Sequence, residues 1–105
     1  MLRELYDRLS VLCSWRWATA TGEVTGTAIE PGSYRGGIKL TVFYKFIVDN
    51  DGLYTGESFW EPFLPENERV RAAEQKVPVG QIVVVRYRAD DPSVSRIDSS
   101  VWRNL

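Results

Sequence analysis

From Ile38 to Trp60 the chain alternates between apolar and polar positions. Even positions from Ile38 to Val48 are all aliphatic or aromatic, while Lys39, Thr41 and Lys45 occupy odd ones. A period of two marks a strand with one buried and one wetter face. Asp49-Asn50-Asp51-Gly52 follows, and Leu53 to Trp60 forms a second run, so the stretch reads as a β-hairpin. A two-residue Asp51-Gly52 loop would set Val48 opposite Thr55 and Phe46 opposite Glu57. A three-residue Asn50-Asp51-Gly52 loop would set Val48 opposite Tyr54, Phe46 opposite Gly56, Tyr44 opposite Ser58 and Val42 opposite Trp60. The second register is preferred because it keeps Glu57 off the buried face. It also puts Gly52 at a left-handed position and leaves room for the Phe46 ring at Gly56. Phe43 and Ile47 interrupt the polar face, so a helix, another sheet layer or another subunit must cover them.

The remaining elements follow from similar patterns. Leu2, Leu5, Leu9 and Leu12 recur three and four apart, which predicts an amphipathic helix over 1–16. A helix this short is marginal alone. Three covers for its stripe stay open: its own sheet, a homodimer seam, or a membrane surface with Trp15, Arg16 and Trp17 at the interface. A strand is expected within Trp17 to Glu30, with Gly26 marking a bulge. Pro31 to Gly37 reads as a hairpin connection, since its glycines match no phosphate-binding spacing. Glu61 to Pro65 breaks the next strand. Glu66 to Lys76 reads as a short helix with a Val70, Ala73 and Val77 stripe and Pro65 in its first turn. Gln81 to Arg88 is apolar on both faces at Ile82 to Val85, as an interior strand would be. Ala89 to Ser93 reads as a turn and Val94 to Asp98 as a last strand, with Val101 and Trp102 folding back. The predicted fold is mainly β (α+β): a small, strongly bent antiparallel sheet or partly open barrel of about five strands. An N-terminal helix and a short helix before the fourth strand complete it. Residues 17–105 form a single domain behind the 1–16 helix.

Composition narrows the chemistry. With 105 residues, 13 basic and 14 acidic side chains, the net charge is -1. The first 52 residues hold six of each sign, so no basic stripe for nucleic acid is visible. Histidine is absent and Cys13 is the lone cysteine, which argues against a zinc set, a cysteine–histidine nucleophile and an internal disulfide. No cofactor or metal is expected. No run of 18 apolar residues predicts a transmembrane span, and no signal peptide is evident. The expected compartment is cytoplasmic or peripheral to a membrane. Glu57 and Glu61, near Trp60, are candidates for a carboxylate pair acting on a sugar. Their expected settings, outward on a strand and at its frayed end, favour solvated charges. Arg86, Arg88, Asp90 and Asp91 read as surface ion pairs. Aromatic residues exceed what one small sheet face needs, and the surplus points to an exposed contact patch.

In order and spacing, four stretches resemble the DUF3592 family, a bacterial domain of unknown function. They are Trp17 with Gly22 and Val24; Tyr44, Phe46 and Val48 with Asp51-Gly52, Tyr54 and Gly56; Val77-Pro78-Val79-Gly80; and Val83 to Tyr87 followed by Ala89 to Ser93. The resemblance covers about residues 17 to 97. It implies a membrane-associated setting, with transmembrane helices beside the domain, and no agreed catalytic residues. The chain departs from the family where a short amphipathic helix replaces the span before Trp17 and where Val77 replaces a tyrosine. The functional expectation is a non-catalytic binding or interaction module. Its contacts are Phe43, Ile47 and Trp60 with the Leu2/Leu5/Leu9/Leu12 stripe. A protein partner or self-association is expected, a membrane surface stays open, and nucleic acid is not expected. The alternatives are a small hydrolase using Glu57 or Glu61 and a purely structural homodimer.

Overall fold

The computed structural model describes residues 17–104; the predicted helix over 1–16, with its leucine stripe and Cys13, lies outside them. Five strands are present: β1 (Ala18–Pro31), β2 (Ile38–Val48), β3 (Gly52–Trp60), β4 (Ile82–Arg88) and β5 (Asp91–Ile97). One α-helix, α1 (Asn67–Gln75), joins β3 to β4, and a 3-10 helix spans Ser99–Asn104. All neighbouring strands are antiparallel in the order β3-β2-β1-β4-β5.

The sheet bends until its two edges nearly meet, as the sequence predicts. Ser58 Oγ on β3 accepts the Ile97 N–H of β5 at 2.9 Å. The Tyr44 and Ser95 hydroxyls share a hydrogen bond at 2.8 Å. Small side chains at Gly56, Ser58 and Ser95 let the edges approach. The result is a nearly closed barrel-like sheet.

The inner face holds the core. Leu40, Val42, Tyr44 and Phe46 of β2 are buried with Val24 of β1, Val83 and Val85 of β4 and Ile97 of β5. The Phe46 ring centre lies 5.8 Å from those of both Tyr54 and Tyr87, an aromatic cluster worth more than its buried area alone. Val101 and Trp102 of the 3-10 helix pack against this core.

Helix α1 closes one end. Val70 and Ala73, with Val77 just after it, are buried as the stripe predicts. The helix begins at Asn67, so Pro65 precedes it and does not sit in the first turn. Asn67 ties it down: its Oδ1 accepts the Ile38 N–H at 3.2 Å and its Nδ2 donates to the Gly36 carbonyl at 2.9 Å. The bulge forms where Gly26 suggests, with the register shifting between Val24 and Gly26. It turns Thr27 inward to donate to Glu74 of α1 at 3.1 Å.

The hairpin register differs from the expected one. Val48 pairs with Gly52, Phe46 with Tyr54, Tyr44 with Gly56, Val42 with Ser58 and Leu40 with Trp60. The loop is Asp49-Asn50-Asp51, one residue earlier than predicted, which slips the pairing by two and preserves which face each residue occupies. Asn50 adopts φ 65°, and the Asp51 N–H donates to the Val48 carbonyl at 3.0 Å. Asparagine tolerates the left-handed region well enough to move the turn off Asp51-Gly52. Strand β5 starts at Asp91 rather than Val94, so the predicted Ala89 to Ser93 turn shrinks to Ala89-Asp90. Pro92 is accommodated because β5 is a ladder edge.

Candidate interaction surface

The outer face of the sheet is where the pattern and the packing disagree. Its odd-numbered β2 and β3 positions and even-numbered β4 positions carry Phe43, Ile47, Leu53, Phe59, Ile82 and Val84. Ile47 is 67% exposed, Leu53 64%, Ile82 64% and Phe59 58%. Interior strand β4 has its apolar run on both faces, yet among the described residues only the inner face is covered. Ile82 and Val84 point away from the core that holds Val83 and Val85.

Apart from Ile82, which pairs with Glu23, these side chains form two zones. In one, Ile47 pairs with Leu53 and Thr21 pairs with Val84. Because Gly22 pairs with Phe46, Thr21 stands beside Ile47, and the four residues make one row across β3, β2, β1 and β4. In the other zone Phe43 faces Glu57, and Thr41 faces Phe59. Lys39 Nζ lies 4.4 Å from the centre of the Phe59 ring, a cation–π contact. Thr41 is buried although it faces outward, and its hydroxyl has no partner among the described residues. Between the zones runs a polar row in which Lys45 Nζ approaches Glu23 at 3.8 Å.

The expected contact residues are therefore only partly brought together. Phe43 and Ile47 share the outer face. Trp60 does not: it pairs with Leu40 on the inner side, half-buried, with the Arg69 guanidinium 5.2 Å from its ring. Strand parity decides this, since even residues of β3 face inward. Leu53 and Phe59, absent from the expected contacts, are legible from the same parity. Ile82 and Val84 are legible from the two-faced run of β4.

The candidate carboxylates part company as well. Glu57 is exposed on the outer face. Glu61 is not a frayed, solvated end. It accepts the Ser33 N–H at 2.7 Å and the Ser33 hydroxyl at 2.9 Å, clasping the β1–β2 connection. Arg86 pairs with Asp98 at 2.5 Å and Arg88 with Asp90 at 2.8 Å, so the basic residues of β4 serve local ion pairs. The Asp98 carboxyl is held down at about 2 by hydrogen bonds from Ser100 and Arg86. Burial holds the Tyr44 phenol above its ordinary value, against the pull of Ser95 and Ser58. Among the described residues no three His, Cys, Asp or Glu side chains group as a metal site. No described helix is long and apolar enough to cross a membrane.

The family described as "Domain of unknown function (DUF3592)" matches residues 20–102. The chain belongs to the DUF3592 family. No curated protein and no solved structure matches it. Several residues in the stretches that carry the DUF3592 resemblance work as architecture. A Cβ on Gly22 would stand 2.6 Å from Val85 Cγ2 and 3.0 Å from the Lys45 carbonyl oxygen. One on Gly56 would stand 2.6 Å from the Tyr44 hydroxyl. Val77 is buried, and Gly80, at φ 92°, donates its N–H to the Val24 carbonyl at 2.8 Å. In this DUF3592 domain Gly22, Gly56, Val77 and Gly80 shape the barrel, while Val79 and Val84 of the same stretches stay exposed on its outside.

Proposed function

We propose that this domain is a non-catalytic interaction module that binds a protein partner through the outer face of its sheet. One observation carries the reading: a core fills the inner face, yet Phe59, Ile47, Leu53 and Ile82 stay exposed on the outer face, with Phe43 half-buried among them. Exposed apolar surface of this kind, interspersed here with Lys39, Lys45, Glu23 and Glu57, is characteristic of contact sites. The partner's matching surface is apolar in two patches, with charged groups between them to meet Lys45 and Glu23. A second copy of the chain is the self-association form of the same reading.

Photo-crosslinking in the source cell tests it, with a benzophenone side chain at position 59 and a control at Gln75 on the exposed side of α1. A discrete intermolecular adduct at 59, absent at 75, is the expected result. An adduct of twice the chain mass identifies self-association. Absence of any intermolecular adduct at 59 overturns the reading.

A further inference from the structure

The outer face of the sheet is complementary to itself. Its side chains fall into rows that run across the strands. One row is Leu53, Ile47, Thr21 and Val84, from β3 through β2 and β1 to β4. The next is Thr55, Lys45, Glu23 and Ile82, and the third is Glu57, Phe43 and Gly26. A two-fold axis parallel to the strands and midway between β1 and β2 returns each row to itself in a stacked second copy. It exchanges β2 with β1 and β3 with β4. Lys45 then stands over Glu23 of the second copy, and Glu23 over its Lys45. Leu53 stands over Val84, Ile47 over Thr21, Thr55 over Ile82 and Phe43 over Gly26.

These matches suit one another in charge and in size. The two ion pairs make a square of alternating sign, the kind of pattern that fixes register at an interface. Within one chain Lys45 and Glu23 approach only to 3.8 Å, with side chains 47% and 45% exposed, so both are placed to bond outward as well. Phe43 meets a glycine: a Cβ on Gly26 would find nothing within 4 Å, and that open space receives the ring. On both flanks exposed Leu53 meets exposed Val84. Glu57 faces no strand of the second copy, because β4 begins at Ile82, and it stays at the wet rim. An axis running across the strands fails where this one succeeds. Through the Lys45 row it stacks Lys45 on Lys45 and Glu23 on Glu23. Half a row away it stacks Lys45 on Ile47, which desolvates a charge with no counter-charge. Stacked sheets cross at about 30°, which leaves the rows nearest the contact centre in register.

We propose that the partner of the outer face is a second copy of this chain, packed face to face about a two-fold axis parallel to β1 and β2, with Lys45 of each copy paired to Glu23 of the other. This rests on the reading of the outer face as a contact surface and names its partner.

Sedimentation velocity of the full chain at low salt, over a concentration series reaching about 1 mM, tests the proposal. A reversible monomer–dimer equilibrium is the expected result. Lys45→Glu and Glu23→Lys each set like charges against each other at both contacts, and each should raise the dimer dissociation constant at least about tenfold. An equimolar mixture of the two variants should restore the dimer, because the reversed charges then meet opposite ones across the two copies. Within each chain of that mixture the Lys45–Glu23 contact stays broken, so the recovery is not a repair of the fold. The double variant, Lys45→Glu with Glu23→Lys, should dimerise like the wild type. A wild-type chain that stays monomeric throughout, single variants that dimerise undiminished, or a mixture that does not recover overturns the proposal. A monomeric chain that still forms an adduct at position 59 with a different protein overturns it and leaves the partner reading standing. Absence of any adduct at 59 overturns that reading at its own test.

Discussion

Replacing Gly56 by alanine tests both the register of the central hairpin and the closure of the barrel. The new methyl carbon would lie 2.6 Å from the Tyr44 hydroxyl oxygen, 2.7 Å from Tyr44 Cζ and 2.8 Å from Ser95 Oγ. Tyr44 is fully buried and cannot swing into solvent. Overpacking of this kind costs about 1–3 kcal/mol. Moving the ring also breaks the hydroxyl contact with Ser95, adding about 1 kcal/mol. The expected loss is about 2–4 kcal/mol, which at a urea dependence of about 2 kcal/mol per molar lowers the midpoint by about 1–2 M. Tyr44→Phe alone should cost about 1 kcal/mol through the lost hydrogen bond. In that background Gly56→Ala should cost about 1 kcal/mol less than in the wild type, because the nearest clashing atom and the bond that anchors the ring are already gone. Urea unfolding of the four proteins, followed by circular dichroism, reads the coupling. If Gly56 faced Phe46, as the preferred sequence register has it, the Tyr44 hydroxyl would be irrelevant and the two costs would add. Additivity within about 0.5 kcal/mol, or a Gly56→Ala chain within about 0.5 kcal/mol of wild type, refutes the reasoning.

Three further outcomes are expected. Gly22→Ala forces its methyl against Val85 and the Lys45 carbonyl, and should lower stability by about 1–3 kcal/mol in the same urea assay. Asn67→Ala removes the side-chain contacts to Ile38 and Gly36; it should cost about 1–2 kcal/mol and speed amide exchange at Ile38 more than at Val42. Asp98 has an ordinary pKa of 3.8 and a folded value of about 2, so its contribution is complete above pH 4 and is lost as pH falls from about 4 toward 2. Asp98→Asn should therefore destabilise by about 1–2 kcal/mol at pH 7, below the full linkage value because the pair is partly solvated, and the difference from wild type should shrink below pH 4. A difference that grows on acidification would count against the Arg86 and Ser100 contacts as its source.

Much of this architecture is legible along the chain because strand alternation is a local property. The parity of β2 places Leu40, Val42, Tyr44 and Phe46 inside whatever the partner strand does. The same parity exposes Ile47 and places Phe43 on the outer face. Gly26 at the bulge and the Val70, Ala73 and Val77 stripe are likewise readable from neighbouring residues alone. Trp60 shows the limit. Its size and its place beside Glu57 and Glu61 suggest a contact residue, but its even position turns it inward opposite Leu40.

By itself the sequence determined which residues face inward, where the strands and α1 lie, and that the chain has the DUF3592 pattern; these rest on periodicity, turn chemistry and residue size. Tertiary structure decided the rest. Asn50 in the left-handed region set the hairpin register two residues from the preferred one, a choice settled by local turn energies too similar to rank from residue types. Closure of β3 against β5 engaged Ser58 and Ser95, residues 37 positions apart whose proximity no local pattern encodes. The fold also held Glu61 against Ser33 of the β1–β2 connection instead of leaving it at a frayed end, and it placed Tyr44 beside Ser95. Above all, the folded sheet leaves Ile82 and Val84, the second apolar face of β4, exposed among the described residues. A sequence records which side chains avoid water; only the folded sheet shows which of them still meet it.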